Sequence, residues 1–327
     1  MGVRRTLERG WHTGSIFGTF AAAAACGRVL GLTDVQMAEA FGIAGTQSSG
    51  LMAAGYASMV KRMHHGRAAQ SGLYAAFLAA GGYTGIHRVF EEEYGGYCST
   101  FLGSTDAGYD LSELTSELGT RFVIADIAIK PYACNGGIHT SVDAMKQILA
   151  RRPLSSDDIQ SVTVRTTPAN AEHVGFTYEA ASLTTAQMNM GFTLAVVIEH
   201  GDASVEQYTD KTIRDPRLVE LARKVSVIGD PAFEHLPAAE SLTVDVTVTL
   251  VGGAQERQRV VTAHGSARDP LSAEEIVTKF ERLAGPSLGA KRTASVLEFV
   301  TNLEVIDDVS ELGNLLGGAR ERSGHEE

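Results

Sequence analysis

The period of apolar and polar positions changes twice along this chain. From Ile16 to Leu30 most residues are Ala, Phe, Gly or Val, which predicts a buried helix ended by Gly31. Thr33-Asp34-Val35-Gln36 has the form of a capping box, so a second helix starts there and runs to about Gly45. Ala68–Ala80 predicts a further Ala-rich helix closed by Gly81-Gly82, and His87–Tyr94 a short one carrying Glu91-Glu92-Glu93. Residues 1–10 are basic and unpatterned, and Gly103–Gly119 is linker-like with a weak helix.

The texture then turns partly β. Phe122–Ile129 is apolar and β-branched and predicts a strand, followed by a loop at Lys130–Gly137 and a helix over Thr140–Ala150. Ile159–Arg165 alternates as a strand, Met188–Glu199 is apolar and helical, and Val225–Ile228 is a short strand after a helix at Leu218–Ala222. Leu242, Val244, Val246, Val248 and Leu250 alternate with Thr and Asp, Gly252-Gly253 turns the chain, and Gln255–Ala263 returns as a hairpin partner. Ser272 and Glu275 form a second capping box, opening helices to about Val300 and near Val309–Leu316 before a charged tail, Arg320–Glu327. The order is α, then α+β, then α: a helical domain over 1–117, an α+β domain over 118–266, and helices over 267–327 returning to the first domain.

Composition and charge narrow the function. A net charge of −11 over 327 residues argues against sequence-independent nucleic-acid binding and against an anionic membrane surface. The three cysteines are widely spaced with no CxxC pair, which suggests neither a disulfide framework nor a zinc site and points to a reducing cytoplasm. Phosphate-binding glycine loops and HExxH are absent. Against this acidic background Lys61, Arg62, His64, His65 and Arg67 lie within seven residues, flanked by Ala-rich sequence. Such groups cannot enter an apolar environment unpartnered. The stretch therefore reads as the wall of a wet pocket for a carboxylate, at the start of a closely packed helix.

Several segments together resemble the MmgE/PrpD family: Gly10–Gly18, Ala38–Leu51, Lys61–Ala69, Lys130-Pro131-Tyr132 and Asp269–Ser272, in the family's order. The resemblance implies an all-helical domain with an inserted α+β lid domain, a homodimer, and a site between the domains that works on a small polycarboxylate without metal or organic cofactor. By motif match it implies catalytic roles for His12, Lys61 (with Met63 in place of the family's leucine) and Lys130. The Asp- and His-bearing region that the family carries upstream of His12 has no counterpart here, so the helical domain reads as N-terminally truncated. The activity implied is a hydro-lyase of the 2-methylcitrate dehydratase type, removing a proton next to a carboxylate and eliminating water. The alternatives are a family decarboxylase or epimerase, or a non-catalytic remnant or half-enzyme.

The chemistry asks for cations that neutralise carboxylates and for a group of tuned pKa that moves a proton on carbon. His12 has two readings, an acid/base group or a cap for the helix that follows it. Lys61 is either a substrate ligand and proton donor or a solvated surface lysine. Lys130 stands before Pro131, where ligand-facing loops often lie. His64 and Arg67 are candidates for substrate carboxylate binding. His65, Arg62 and His139 read as structural or exposed, and Cys134 lacks an evident partner for nucleophilic work.

Overall fold

The computed structural model describes residues 3–56, 59–103 and 109–317. Its first part is helical. Helix α1 (Val3–Glu8) leads through Gly10 to α2 (Thr13–Val29), α3 (Asp34–Gly45), α4 (Val60–Ala80) and the short α5 (Tyr97–Leu102). Helix α2 packs along α4, and small residues make that approach possible. A Cβ on Gly72 would stand 2.4 Å from the Thr19 carbonyl oxygen and 2.6 Å from the Ala23 nitrogen. Ala23, Ala40, Ala75 and Ala79 are buried in the same seam. Aromatic rings fill the other side, where Phe20 meets Tyr97 edge-on at 4.6 Å and a tilted Phe90 ring at 4.8 Å.

The second part is built on a four-stranded mixed sheet of order β2-β1-β3-β4: β1 (Ile159–Thr166), β2 (Val225–Gly229), β3 (Val244–Leu250) and β4 (Gln255–Val260). Strand β1 runs parallel to β2 and antiparallel to β3, and β3–β4 is the hairpin. Val244, Val246, Val248 and Leu250 all turn inward, as strict alternation requires. Helices α6 (His139–Arg151), α7 (Pro168–Val174), α8 (Leu183–Met188), α9 (Met190–His200) and α10 (Pro216–Arg223) surround the sheet, and α9 is buried along nearly its whole length. Helices α11 (Ala273–Leu288), α12 (Ala290–Thr301) and α13 (Ser310–Leu316) follow. Side chains of α11 bind the α+β part: Lys279 donates to the Lys130 carbonyl, and Arg282 pairs with Asp202 and Glu206. Among the described residues no helix is long and apolar enough to cross a membrane.

Both capping boxes form, at Thr33/Gln36 and Ser272/Glu275. Other expectations are corrected. Phe122–Ile129 is not a strand; it holds a single 3-10 turn, Val123–Asp126, with its apolar side chains exposed. Its composition suits a sheet, but among the described residues no strand pairs with it to complete a ladder, and pairing rather than propensity decides a strand. His87–Tyr94 forms turns, because Val89 and Phe90 are anchored side by side in the aromatic cluster and the Tyr97 amide takes the Val89 carbonyl. Residues 3–8 are helical, with Thr6 fully buried and its carbonyl bound by the Trp11 amide. The basic stretch does not precede a helix but forms the first two turns of α4. Asn189 splits the expected 188–199 helix, its side chain capping α9 through the Phe192 amide. The charged tail lies outside the described residues, as do 104–108 of the linker-like stretch, whose described remainder holds a 3-10 turn at Leu111–Leu114.

Candidate active site

His12 is held from both sides. Its amide donates to the Gly50 carbonyl at 2.8 Å, the Met52 amide donates to the Gly10 carbonyl at 2.8 Å, and Trp11 and Leu51 form a β-bridge. These bonds tie the start of α2 to the segment that leads into α4. His12 stands at the N-cap position of α2, yet its side chain makes no capping bond. Its Nδ1 lies instead 3.0 Å from Nδ1 of His64. The ring of His65 meets His12 edge-on at 5.0 Å, in space left by Gly14, where a Cβ would stand 2.1 Å from His65 Cε1. Of the two readings of His12, the cap is therefore excluded.

Lys61 lies one turn before His64 on α4 and is half-buried. Its Nζ approaches Met188 Sδ at 3.4 Å, and the neighbouring Arg62 donates to the Gln187 side chain. Both contacts join the helical part to α8 of the α+β part. Asn135 continues the chain of contacts, its Nδ2 3.3 Å from Met188 Sδ and 3.3 Å from His173 Nε2.

Lys130 is exposed on the loop entering α6, with Nζ 3.2 Å from the Cys134 carbonyl oxygen. Backbone bonds thread this loop between distant segments: Ile129 to Gly265, Ala133 to Ala203 and Asn135 to Gln187, each at 2.8 Å. Gly265 has φ +86°, and a Cβ there would stand 2.2 Å from the Ile129 carbonyl oxygen, so this crossing requires glycine.

Lys61, Arg62, Lys130, Asn135 and Met188 line a cleft of about 700 Å3, and α11 supplies the opposite wall with Lys279 and Arg282. Lys146 and Arg282 are paired with carboxylates at Asp202. Among the described residues Lys61, Arg62, Lys130 and Lys279 have no carboxylate within 4.0 Å. The cleft lining holds six Lys and Arg side chains against the carboxylates of Asp202, Glu274 and Glu275, an excess of positive charge on a chain whose net charge is −11.

Burial and mutual repulsion weaken the bases around it. His12 is brought down to about 4, first by desolvation and then by His65, His64, Lys61 and His173. His64 is lowered by desolvation, His65 and Lys61, and His173 by desolvation and Lys61. Lys61 is lowered by desolvation, Arg62 and Lys130. Burial pushes the Cys134 thiol up to about 12, which removes it as a nucleophile at neutral pH.

The structure thus brings Lys61 and Lys130 to one cleft, with His12 and His64 in a histidine cluster that adjoins it through Lys61. Arg67 is not brought there: it is exposed and donates to Gln70 at 2.8 Å on the same helix. Sequence reasoning missed Asn135, His173, Met188 and Lys279 and set aside His65 and Arg62. Asn135, in a Gly-rich loop five residues after Lys130, carried a usable signal; His173 and Lys279, on otherwise ordinary helices, carried none. His139 is buried, 4% exposed, with no partner for Nε2 among the described residues and its ring edge-on to Tyr132. Among the described residues no group of three or more His, Cys, Asp or Glu side chains could hold a metal ion.

Comparison with known proteins places the sequence among relatives. Residues 2–109 match the model of the MmgE/PrpD N-terminal domain and residues 132–305 that of the MmgE/PrpD C-terminal domain. The chain is 33% identical to a cis-aconitate decarboxylase-like protein of Aspergillus oryzae, over 95% of this chain and 66% of that protein. It is 30% identical to cis-aconitate decarboxylase of Homo sapiens, over 95% of this chain and 64% of that protein. A 2-methylcitrate dehydratase of Cupriavidus necator is 26% identical over 71% of this chain and 49% of its own length. The chain thus spans about two thirds of the length of the first two relatives. With both domain models matched in order along the sequence, the chain belongs to the MmgE/PrpD family.

Proposed function

We propose that this chain carries the substrate cleft of a lyase that acts on a small tricarboxylate without a cofactor. The observation that carries the reading is the set of four cations, Lys61, Arg62, Lys130 and Lys279, that face one cleft with no carboxylate within 4.0 Å among the described residues. Two of them, Lys61 and Arg62, stand in the first turn of α4, which has no acidic residue there. Cations at a helix N-terminus oppose the helix dipole. A bound polyanion removes that repulsion and draws on the same dipole.

Decarboxylation of a cis-aconitate-like substrate is the reaction favoured, because the relatives matched over 95% of the chain carry that name. In that reaction one carboxylate leaves as carbon dioxide. The electron pair of the broken carbon–carbon bond spreads through the double bond towards a remaining carboxylate, and one carbon then takes up one proton. Lys130 and Arg62 hold the remaining carboxylates and stabilise that charge as it develops. Lys61, with its proton loosened by burial and by Arg62 and Lys130, is the donor closest in character to the task. The same groups serve a second reading, dehydration of a 2-methylcitrate-like substrate, favoured by the dehydratase relative. There a proton leaves carbon beside a carboxylate and hydroxide departs as water.

The test is to incubate the chain with cis-aconitate and with 2-methylcitrate in heavy water and follow both by proton NMR. The reading expects loss of carbon dioxide with deuterium on carbon from cis-aconitate, abolished in Lys61→Ala. Water loss from 2-methylcitrate alone establishes the second reading. Neither turnover nor carbon-bound exchange with either compound overturns both.

A further inference from the structure

We propose that His12 and His64 form a one-proton pair in which His64 is a positioning residue that fixes the tautomer of His12. The catalytic side of this inference rests on the lyase reading; the pair itself rests on geometry. The two Nδ1 atoms face each other at 3.0 Å. Two N–H groups cannot share that line, and two bare lone pairs would repel. One proton therefore lies between the rings, one Nδ1 donating and the other accepting.

Both rings are held neutral. Desolvation acts on each, and His65 and Lys61 of α4 face both, with His173 of α7 facing His12 as well. A neutral pair has two arrangements. With His64 as donor, His12 carries its proton on Nε2 and cannot take another without breaking the pair. With His12 as donor, its Nε2 is bare and can take a proton while Nδ1–H stays bonded to His64. The second arrangement lets charge change on the half-buried His12 and leaves it unchanged on His64, which is 8% exposed and would lose more on charging. His64 then holds His12 as a carboxylate holds a catalytic histidine, but without a negative charge that would repel a polyanion.

The surroundings make the pair rigid. Ser15 Oγ donates to the His12 carbonyl at 2.7 Å, and the Gly50 carbonyl takes the His12 amide. A Cβ on Gly50 would stand 1.9 Å from Ser15 Oγ and 3.3 Å from His64 Nδ1. The second ring is set by α4, where His64 lies three residues after Lys61 and so on the same face.

Nitrogen-15 NMR of the labelled chain at pH 7 reads the tautomers directly, without activity. The expected spectrum has His12 protonated on Nδ1 and His64 on Nε2. In His64→Ala, His12 should revert to the Nε2–H form, and in His64→Asn, whose amide oxygen can stand where Nδ1 was, it should keep Nδ1–H. If the chain turns over substrate, His64→Ala should lower kcat roughly 10- to 100-fold with KM nearly unchanged, and His64→Asn should restore most of it. Should His64→Ala fail to fold, the spectrum of His64→Asn decides. A His12 that carries its proton on Nε2 in the unaltered chain, or that keeps Nδ1–H in His64→Ala, overturns the proposal. Absence of turnover with the expected tautomers overturns the lyase reading and leaves the pair standing.

Discussion

Tyr132 donates its phenol hydrogen to Asp143 at 2.6 Å, and the other carboxylate oxygen of Asp143 takes the His264 amide at 3.0 Å. One buried carboxylate thereby ties the Lys130 loop to the segment that leads into α11. Tyr132→Phe removes one of these bonds and leaves a desolvated oxygen unmatched. The expected loss is about 1–3 kcal/mol of stability by denaturant titration. It should also raise KM for a tricarboxylate, because Lys130 stands two residues away. An unchanged midpoint together with an unchanged KM would show that the bond positions nothing.

Lys279 reaches across the cleft wall to the Lys130 carbonyl at 2.7 Å. Among the described residues it has no carboxylate partner, so it both clamps the loop and adds positive charge. Lys279→Met should weaken binding of a tricarboxylate several-fold in calorimetry and leave the thermal midpoint nearly unchanged, as expected for a half-exposed side chain. Arg67→Ala should bind as the parent does, since Arg67 is exposed, donates to Gln70 on its own helix and does not line the cleft.

Anion binding should take up protons. His12 is brought down to about 4 by desolvation first and then by its neighbours, and of these Lys61 lines the cleft where a polyanion would offset its charge. The pKa of His12, and those of His64 and Lys61, must rise when the anion is in place. Calorimetry at pH 6 in buffers of different ionisation enthalpy should give apparent heats that depend on the buffer. Heats independent of the buffer would mean that the anion sits elsewhere.

His139 makes stability fall with acid. Burial, with Lys130 and Lys279 nearby, brings it to about 4, against 6.5 when unfolded. The unfolded chain therefore binds more protons between those values, so its contribution is complete above pH 6.5 and is lost as pH drops towards 4. That contribution is at most about 3 kcal/mol. His139→Phe keeps a ring against Tyr132 and should flatten, though not abolish, the decline of Tm from pH 6.5 to 4; His12 retains a slope of the same sign. An identical decline in both proteins would remove His139 as a cause.

The α2–α4 seam offers a test of packing alone. Gly72→Ala places a methyl group against the backbone of α2 at Thr19 and Ala23. Overpacking of this kind costs about 1–3 kcal/mol, and the variant should unfold at correspondingly lower denaturant. Gly66→Ala, on the same helix where a Cβ meets nothing, should be neutral or stabilising.

Local pattern determined much of this protein. The capping boxes at Thr33 and Ser272, the alternation of Val244, Val246, Val248 and Leu250, and the α, α+β, α order follow from short-range rules that a few neighbouring residues satisfy. The motif positions of Lys61 and Lys130 were legible through the resemblance of their segments to the family's motifs. Tertiary structure decided the rest. Phe122–Ile129 has the side chains of a strand but no neighbour to pair with, and Val89 and Phe90 follow an aromatic cluster instead of a helix. The His12–His64 contact joins residues 52 positions apart, and Lys279 meets Lys130 across 149. Such contacts depend on how helices and loops stack, and no local period encodes that. Histidine makes the point sharply: the sequence offered His12 and His64 as candidates and set His65 and His139 aside, and only packing put His12 Nδ1 against His64 Nδ1, His65 edge-on to His12, and His139 in the interior beside Tyr132.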